Sequence, residues 1–282
     1  MPAFVPLRSR NALLCSLGIV ALLLFLVHQS GSPTPAPLPP MPGTYQYFTE
    51  IDFKYHTRQF GAISHCDPRF APKDPPGIPE TRQALVALLK SYMATMSQLG
   101  ADDGTWIAHG ALLGWYWNQK LLPWDTDLDV QMSAETLAYL VPFNMTEYWY
   151  VMAGEEKPRT YLLDINPHHS ISSTRDVANK IDGRWIDTSN GKYIDITAVH
   201  VRPLLSDVQD PPQAPILFCK DGHEYQRDDL FPLRDTSLEG VRVKVPRDSA
   251  KVLQDEYGKK SLTNTRFHWH RFDKSKQIWE PE

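Results

Sequence analysis

Positive charge is not in excess in this chain. Its 282 residues carry 29 Lys and Arg against 33 Asp and Glu, a net charge of -4, with a pI of about 6.2. Without a basic footprint, nucleic acid is not an expected partner. Cysteine is scarce as well. Of three, Cys15 lies inside an apolar run, which leaves only Cys66 and Cys219 to pair or to stay as free thiols. The adjacent His168 and His169 have no cluster of Cys or His beside them, so no zinc site is expected there. From residue 44 onward there is no internal repeat and no low-complexity block, which leaves one catalytic-sized domain. With 42% hydrophobic and 22% charged residues, that domain can bury one sizeable core.

The N-terminus is different in kind. Arg8 and Arg10 precede "ALLCSLGIVALLLFLV", residues 12 to 27, an uncharged run about long enough for a signal-peptide core or a short membrane span. The residues after it, "HQSGS", offer no clean small-x-small cleavage site, which favours an uncleaved anchor over residues 11–28. Positive charge ahead of the span predicts a cytosolic tail, residues 1–10, and a luminal remainder in the secretory pathway. "GSPTPAPLPPMPG", residues 31 to 43, holds six prolines and no charge. It reads as a stem over 29–43, extended to about 40 Å at roughly 3.1 Å per residue. An oxidising lumen would permit Cys66 and Cys219 to pair. Asn144-Met145-Thr146 would be open to glycosylation there.

Within residues 44–282, "ETRQALVALLKSYMATMSQLG" sets Leu85, Leu88, Leu89, Tyr92, Met96 and Leu99 on one helical face, with Gly100 as a stop. In residues 105–132, Trp106 to Ala108 predicts a short strand. Gly110 and Gly114 are expected to bracket a turn into a helix-like apolar stretch that Pro123 ends, and Leu128 to Met132 predicts a second strand. "RWIDTSNGKYIDITAVHV" predicts a hairpin about Asn190-Gly191, with Asp195 in its second strand between Ile194 and Ile196.

The unusual stretch is "LPWDTDLDV", where Asp125, Asp127 and Asp129 fall within five residues and no Lys or Arg separates them. At strand spacing Asp127 and Asp129 project together from one edge, with Asp125 just before. Like charges that close repel, so a cation is expected. Asp195 alone could be a solvent-facing acid. With the three others, a strand pair sharing Mg²⁺ or Mn²⁺ through oxygen ligands is the better reading. The predicted fold is α/β, a nucleotidyltransferase-like mixed sheet flanked by helices. Its metal would neutralise charge on a diphosphate donor held in line for attack.

"HGALLGWYWNQKLLPWDTDLDVQM" resembles the signature of the LicD family, which includes fukutin and fukutin-related protein. It most resembles the fungal branch implicated in mannosylphosphate transfer. "YLLDINPHHS", "RWIDTSNGKYIDIT", "DDLFPLRDTSLEGVRVKVP" and "VLQDEYGKKSL" follow in the family's order, so the likeness covers roughly residues 80 to 262. What the resemblance implies is transfer of a phosphorylated sugar, alditol or choline from a nucleotide donor, GDP-mannose favoured here, to a glycan hydroxyl in the Golgi. Its metal-binding acids map onto Asp127, Asp129 and Asp195, with Asp125 near the metal as an outer or acceptor-orienting group. His109, Gly110, Gly114 and Trp124 fall on the donor and substrate side, with Gly110 allowing close approach to phosphates. Bacterial members commonly carry Arg where this chain has Trp117, and Lys120 is the candidate replacement.

Two rivals remain: an Asp-x-Asp glycosyltransferase that moves the sugar without its phosphate, and a non-catalytic glycan-binding or regulatory relative. A calcium loop is disfavoured because Val130 and Thr136 stand where Gly and Glu would be needed. The topology gives the first prediction. In sealed microsomes the region after the span is expected to resist protease until detergent is added, and endoglycosidase or Asn144→Gln should each lower its apparent mass. Digestion without detergent would overturn the orientation, and unchanged mobility would overturn glycosylation at Asn144.

Overall fold

A computed structural model describes residues 47–57, 61–73, 77–202 and 215–282. The tail 1–10, the anchor 11–28 and the stem 29–43 lie outside the described residues. Among the described residues, no helix is long and apolar enough to cross a membrane.

The chain begins with a hairpin of β1 (Ile51–Thr57) and β2 (Gly61–Cys66), followed by α1 (Ile78–Leu99), β3 (Thr105–Ile107) and α2 (His109–Asn118). Next come β4 (Asp129–Ser133), α3 (Ala134–Leu140), β5 (Thr146–Tyr150), β6 (Arg159–Ile165), β7 (Gly183–Asp187) and β8 (Tyr193–Val201). Then follow β9 (Ile216–Phe218), β10 (Glu224–Gln226), α4 (Arg227–Leu230), β11 (Arg234–Leu238), β12 (Val241–Val245) and α5 (Ser249–Tyr257). Last is a small sheet of β13 (Arg266–Phe267), β14 (His270–Asp273) and β15 (Ile278–Pro281).

The helix expected over residues 80–100 forms as α1. Leu85, Leu88, Leu89, Tyr92 and Met96 are all buried, and Gly100 ends the helix at a φ of 70°. Each large apolar side chain buried this way contributes roughly 1.5–3 kcal/mol. Polar atoms on the same face are also matched: Tyr92 hydrogen-bonds Thr105 at 2.8 Å, and Trp185 Nε1 donates to Ser91 at 2.9 Å.

The α/β class is as expected, a central mixed sheet flanked by helices. Strands β10, β9, β8, β7, β6 and β5 run across it in that order, with β4 on the other side of β8 and β3 beyond. The β7–β8 pair is the hairpin expected about Asn190-Gly191, and Gly191 sits at a φ of 75°. What makes the sheet mixed is β8. It is antiparallel to β7 and parallel to β4, in a register that sets Asp129 beside Asp195. Ile194, Ile196 and Ala198 of β8 are fully buried, so the strand that carries Asp195 is central and not an edge.

The expectation for Gly110 and Gly114 is corrected. They do not bracket a turn; both lie inside α2, and His109 is its first residue. The chain reverses after the helix, at Gln119, which adopts a left-handed conformation. Gly114 is required by packing: a Cβ there would lie 2.3 Å from the Lys120 carbonyl oxygen and 3.1 Å from the Leu122 nitrogen. Backbone cannot swing aside as a side chain can. Gly114→Ala is therefore expected to destabilise by about 1–3 kcal/mol, although Ala is the better helix former. Denaturant unfolding with an unchanged or raised midpoint would contradict this packing.

Candidate active site

Four carboxylates gather where the parallel strands β4 and β8 begin. Asp129 and Asp195 are lateral partners. The Asp195 amide donates to the Leu128 carbonyl at 3.1 Å, and the Ala108 amide to the Asp129 carbonyl at 3.1 Å. Those bonds fix the start of α2 against the start of β4. Asp125 and Asp127 precede β4 in the connecting loop, so only Asp129 of the three is a strand residue. The loop is held from below by Lys192, whose buried ammonium donates to the Thr126 carbonyl at 3.1 Å.

The carboxyl groups repel one another in a poorly solvated cleft. Burial first, and then the charge of Asp127, push Asp129 up to about 8, against the opposing pull of His109. Burial and Asp127 also raise Asp125 well above the usual range. Asp195 is raised by burial and held back by Arg184. The Arg184 Nε donates to Asp195 Oδ1 at 2.8 Å, and its guanidinium lies 3.7 Å above the Tyr193 ring. The Arg184 guanidinium and the Lys192 ammonium beneath the loop do not balance four acids. An all-oxygen donor set with this residual charge fits Mg²⁺ or Mn²⁺.

Two histidines border the acids, each in a left-handed backbone conformation: His65 at a φ of 64° and His109 at 48°. Such strain is uncommon outside functional sites, although His tolerates it better than most residues. His65 Nδ1 meets Glu50 at 3.0 Å, and its Nε2 faces Asp127 at 3.5 Å. Burial opposes the charged imidazole, yet Glu50 and Asp127 outweigh it and raise His65 above its ordinary value. The hydrogen bond from His65, with a second from Tyr193 at 2.7 Å, holds Glu50 down to about 2.

His109 sits on the other side. Its Nδ1 lies 2.6 Å from Glu256 on α5, and its Nε2 is 3.5 Å from Asp221 in the β9–β10 turn. His109, Asp221 and His223 are a group able to hold a cation, their ligand atoms all within 4.8 Å of one another.

Of the remaining sequence candidates, Gly110 has a different neighbour from the one expected. A Cβ there would lie 2.4 Å from an Asp125 carboxylate oxygen, so the close approach is by Asp125. Lys120 does not join the acids. It follows the far end of α2, about 15 Å along the helix axis from His109, and pairs with Glu239 at 3.3 Å. Trp124 packs against Trp279 and His270, at ring separations of 5.0 and 5.1 Å. Trp117 donates from Nε1 to the Ser261 carbonyl at 3.1 Å and lines a cavity beside Trp124. Asn144 is exposed and accepts at Oδ1 from the Ile165 amide at 2.7 Å. Cys66 and Cys219 are both buried and free. The pairing that the sequence allowed is not made, because Cys66 sits opposite Lys192 while the Cys219 thiol donates to Asp221 at 2.5 Å.

Two cavities flank the acids. One of about 430 Å³ is walled by Trp117, Trp124, Phe267 and Trp279, with Asp125, Tyr257 and Lys260 on its lining. The other, about 390 Å³, runs along Phe48, Glu50, His65, Arg184 and Asp195. Both are of a size that suits a sugar or a nucleoside.

Residues 103–248 match the family described as LicD/FKTN/FKRP, nucleotidyltransferase domain. Two relatives from Saccharomyces cerevisiae are similar. Mannosyltransferase regulator 4 is 32% identical over 141 residues, 48% of this chain and 11% of that protein. Mannosyltransferase regulator 14 is 35% identical over 125 residues, 42% of this chain and 13% of that protein. The matched stretch is thus about a tenth of the length of either relative.

The repulsion among the acids predicts a pH dependence for the cation-free protein. A carboxyl raised from 3.8 to about 8 binds its proton more tightly when folded, so stability is highest below pH 4 for this group and falls as pH rises through about 8. In chelator-treated protein, Asp129→Asn should raise the melting temperature relative to wild type at pH 8 and lose most of that advantage at pH 5. Each kcal/mol amounts to about 2–4 °C in a domain of this size. Equal melting temperatures for the two proteins at both pH values would show that Asp129 is not under this repulsion.

Proposed function

The chain belongs to the LicD/FKTN/FKRP family of nucleotidyltransferase domains, and from that premise we propose that it transfers a sugar-phosphate from a nucleotide-sugar to a glycan hydroxyl. The observation that carries the reading is the lateral pairing of Asp129 with Asp195 on parallel strands, with Asp127 and Asp125 alongside. Mannosylphosphate is the favoured group and GDP-mannose the favoured donor, supported by the relatives' names, which refer to a mannosyltransferase. The compartment proposed is the Golgi, with the chain anchored through residues 11–28 as a type II membrane protein.

Asp127, Asp129 and Asp195 would hold Mg²⁺ or Mn²⁺. When bound, the cation supplies charge neutralisation on the phosphoryl oxygens and holds the diphosphate for in-line attack. The chain's own groups do the rest. Arg184 donates to Asp195 and aims its carboxyl group. Asp125 lines the aromatic cavity and is placed to orient the acceptor hydroxyl. Lys260 on the same lining takes the phosphate-contact role that the sequence offered to Lys120. The aromatic wall excludes water and presents flat apolar faces to a ring.

The acceptor oxygen joins phosphorus and a nucleoside monophosphate leaves. With GDP-mannose and a mannose-rich glycan the expected products are GMP and a phosphodiester, read by nucleotide chromatography and phosphorus NMR. Asp129→Asn and Asp195→Asn should each slow GMP release about a hundredfold or more while the proteins stay folded. GDP with a phosphorus-free glycan would replace this reading with ordinary glycosyl transfer. The relatives' names also favour a second reading, a regulatory chain. No nucleotide release from any donor, together with stimulation of a separate mannosyltransferase, would establish that alternative.

A further inference from the structure

We infer that His109, Asp221 and His223 form a second cation site, distinct from the all-carboxylate group and suited to Zn²⁺. The inference stands on the geometry of these side chains and not on which group the chain transfers. Imidazole nitrogens suit Zn²⁺ and neighbouring first-row cations, whereas Mg²⁺ prefers oxygen alone. Two nitrogens and one carboxylate oxygen, with room for a fourth ligand, is a donor set that Zn²⁺ takes.

The separations are those of ligands around an ion more than of a hydrogen-bonded cluster. Asp221 Oδ2 lies 3.5 Å from His109 Nε2 and 3.9 Å from His223 Nε2. A charge-assisted N–H to carboxylate bond would be about 2.7–2.9 Å. Donors held at 2.0–2.1 Å about a tetrahedral ion are roughly 3.3–3.4 Å apart. The two Asp221 separations lie about 0.1–0.6 Å beyond that spacing, and the His109 and His223 ligand atoms are within 4.8 Å of each other.

Supporting contacts orient each ligand atom. Glu256 lies 2.6 Å from His109 Nδ1 and engages its N–H there, which directs Nε2 toward Asp221, the carboxylate–histidine arrangement that accompanies metal-bound imidazole. On Asp221, the other oxygen accepts the Cys219 thiol at 2.5 Å and the His223 amide at 3.4 Å, which turns Oδ2 toward the two rings. The turn itself is pinned by Lys220, buried against Asp182 at 2.6 Å. His223 is the most exposed of the three, its side chain 34% accessible, so water reaches the group and can complete the coordination. An ion there would join the start of α2, the β9–β10 turn and, through Glu256, α5.

The test is metal content of the purified full-length chain after equilibration with Zn²⁺ and gel filtration, with X-ray absorption at the zinc edge. The expected result is about one Zn²⁺ per chain with nitrogen and oxygen ligands at roughly 2.0–2.1 Å. His223→Ala and Asp221→Asn should lose it, Asp195→Asn should retain it, and Glu256→Gln should weaken it about 10- to 100-fold. His223→Cys supplies another zinc ligand and should restore binding, with sulfur appearing in the absorption spectrum. That variant decides the matter if His223→Ala fails to fold. A wild type without Zn²⁺ would overturn the inference and leave His109 as a protonated bridge between Glu256 and Asp221. So would Zn²⁺ retained without His223, or lost with Asp195→Asn but not with His223→Ala.

Discussion

Mutual repulsion among Asp125, Asp127, Asp129 and Asp195 is the constraint around which the rest of this structure is arranged. In a low-dielectric cleft, four acids that close cannot all be ionised without a counter-charge, which is why burial and neighbouring charge lift Asp129 to about 8. Folding brings them together regardless, through the parallel pairing of β4 with β8. The packing of the hydrophobic core carries that cost. Ile194 and Ile196 flank Asp195 and are fully buried, so the strand cannot shift register without exposing them. A site built this way is strained in the absence of a cation and relaxed by one, which couples ligand binding to stability.

The surrounding residues divide the work of limiting that strain. Arg184 neutralises Asp195 from the next strand, and its guanidinium is fixed by the Thr49 carbonyl at 2.9 Å and by the Tyr193 ring. His65 stands between Glu50 and Asp127, and His109 between Glu256 and Asp221. The glutamates keep the rings oriented and make them more basic. Two aromatic-bordered cavities flank the acids, one lined by Asp125 and the other by Asp195. The wall of the larger one comes partly from residues 266–281, beyond the stretch that matches the family.

Some of this was legible in the chain of letters. Three aspartates within five residues, with no cation between them, already demanded an ion, and the Asn190-Gly191 turn placed a fourth acid on a strand. The helical stripe from Leu85 to Met96 and its glycine stop were equally plain. Period and spacing are local properties, so local reading recovers them. The turn expected at Gly110 and Gly114 failed for a related reason. Glycine usually marks a break, and nothing nearby in sequence says that the Lys120 backbone and the Asp125 carboxylate press against a helix at those two positions.

What the sequence determined by itself was the presence of the acids, their spacing, the α/β class and the likeness to a family. Only the tertiary structure decided which residues serve them. Glu50, His65, Arg184, Asp221, His223 and Glu256 are spread over some two hundred positions, and none carries a motif that distinguishes it from an ordinary surface residue. Lys120, adjacent to the signature, turned out to face Glu239, while Lys260 came to line the cavity. The physical reason is that electrostatic partnership acts through space over a few ångströms. Which side chains come that close is set by strand register and helix packing, which the whole core determines together.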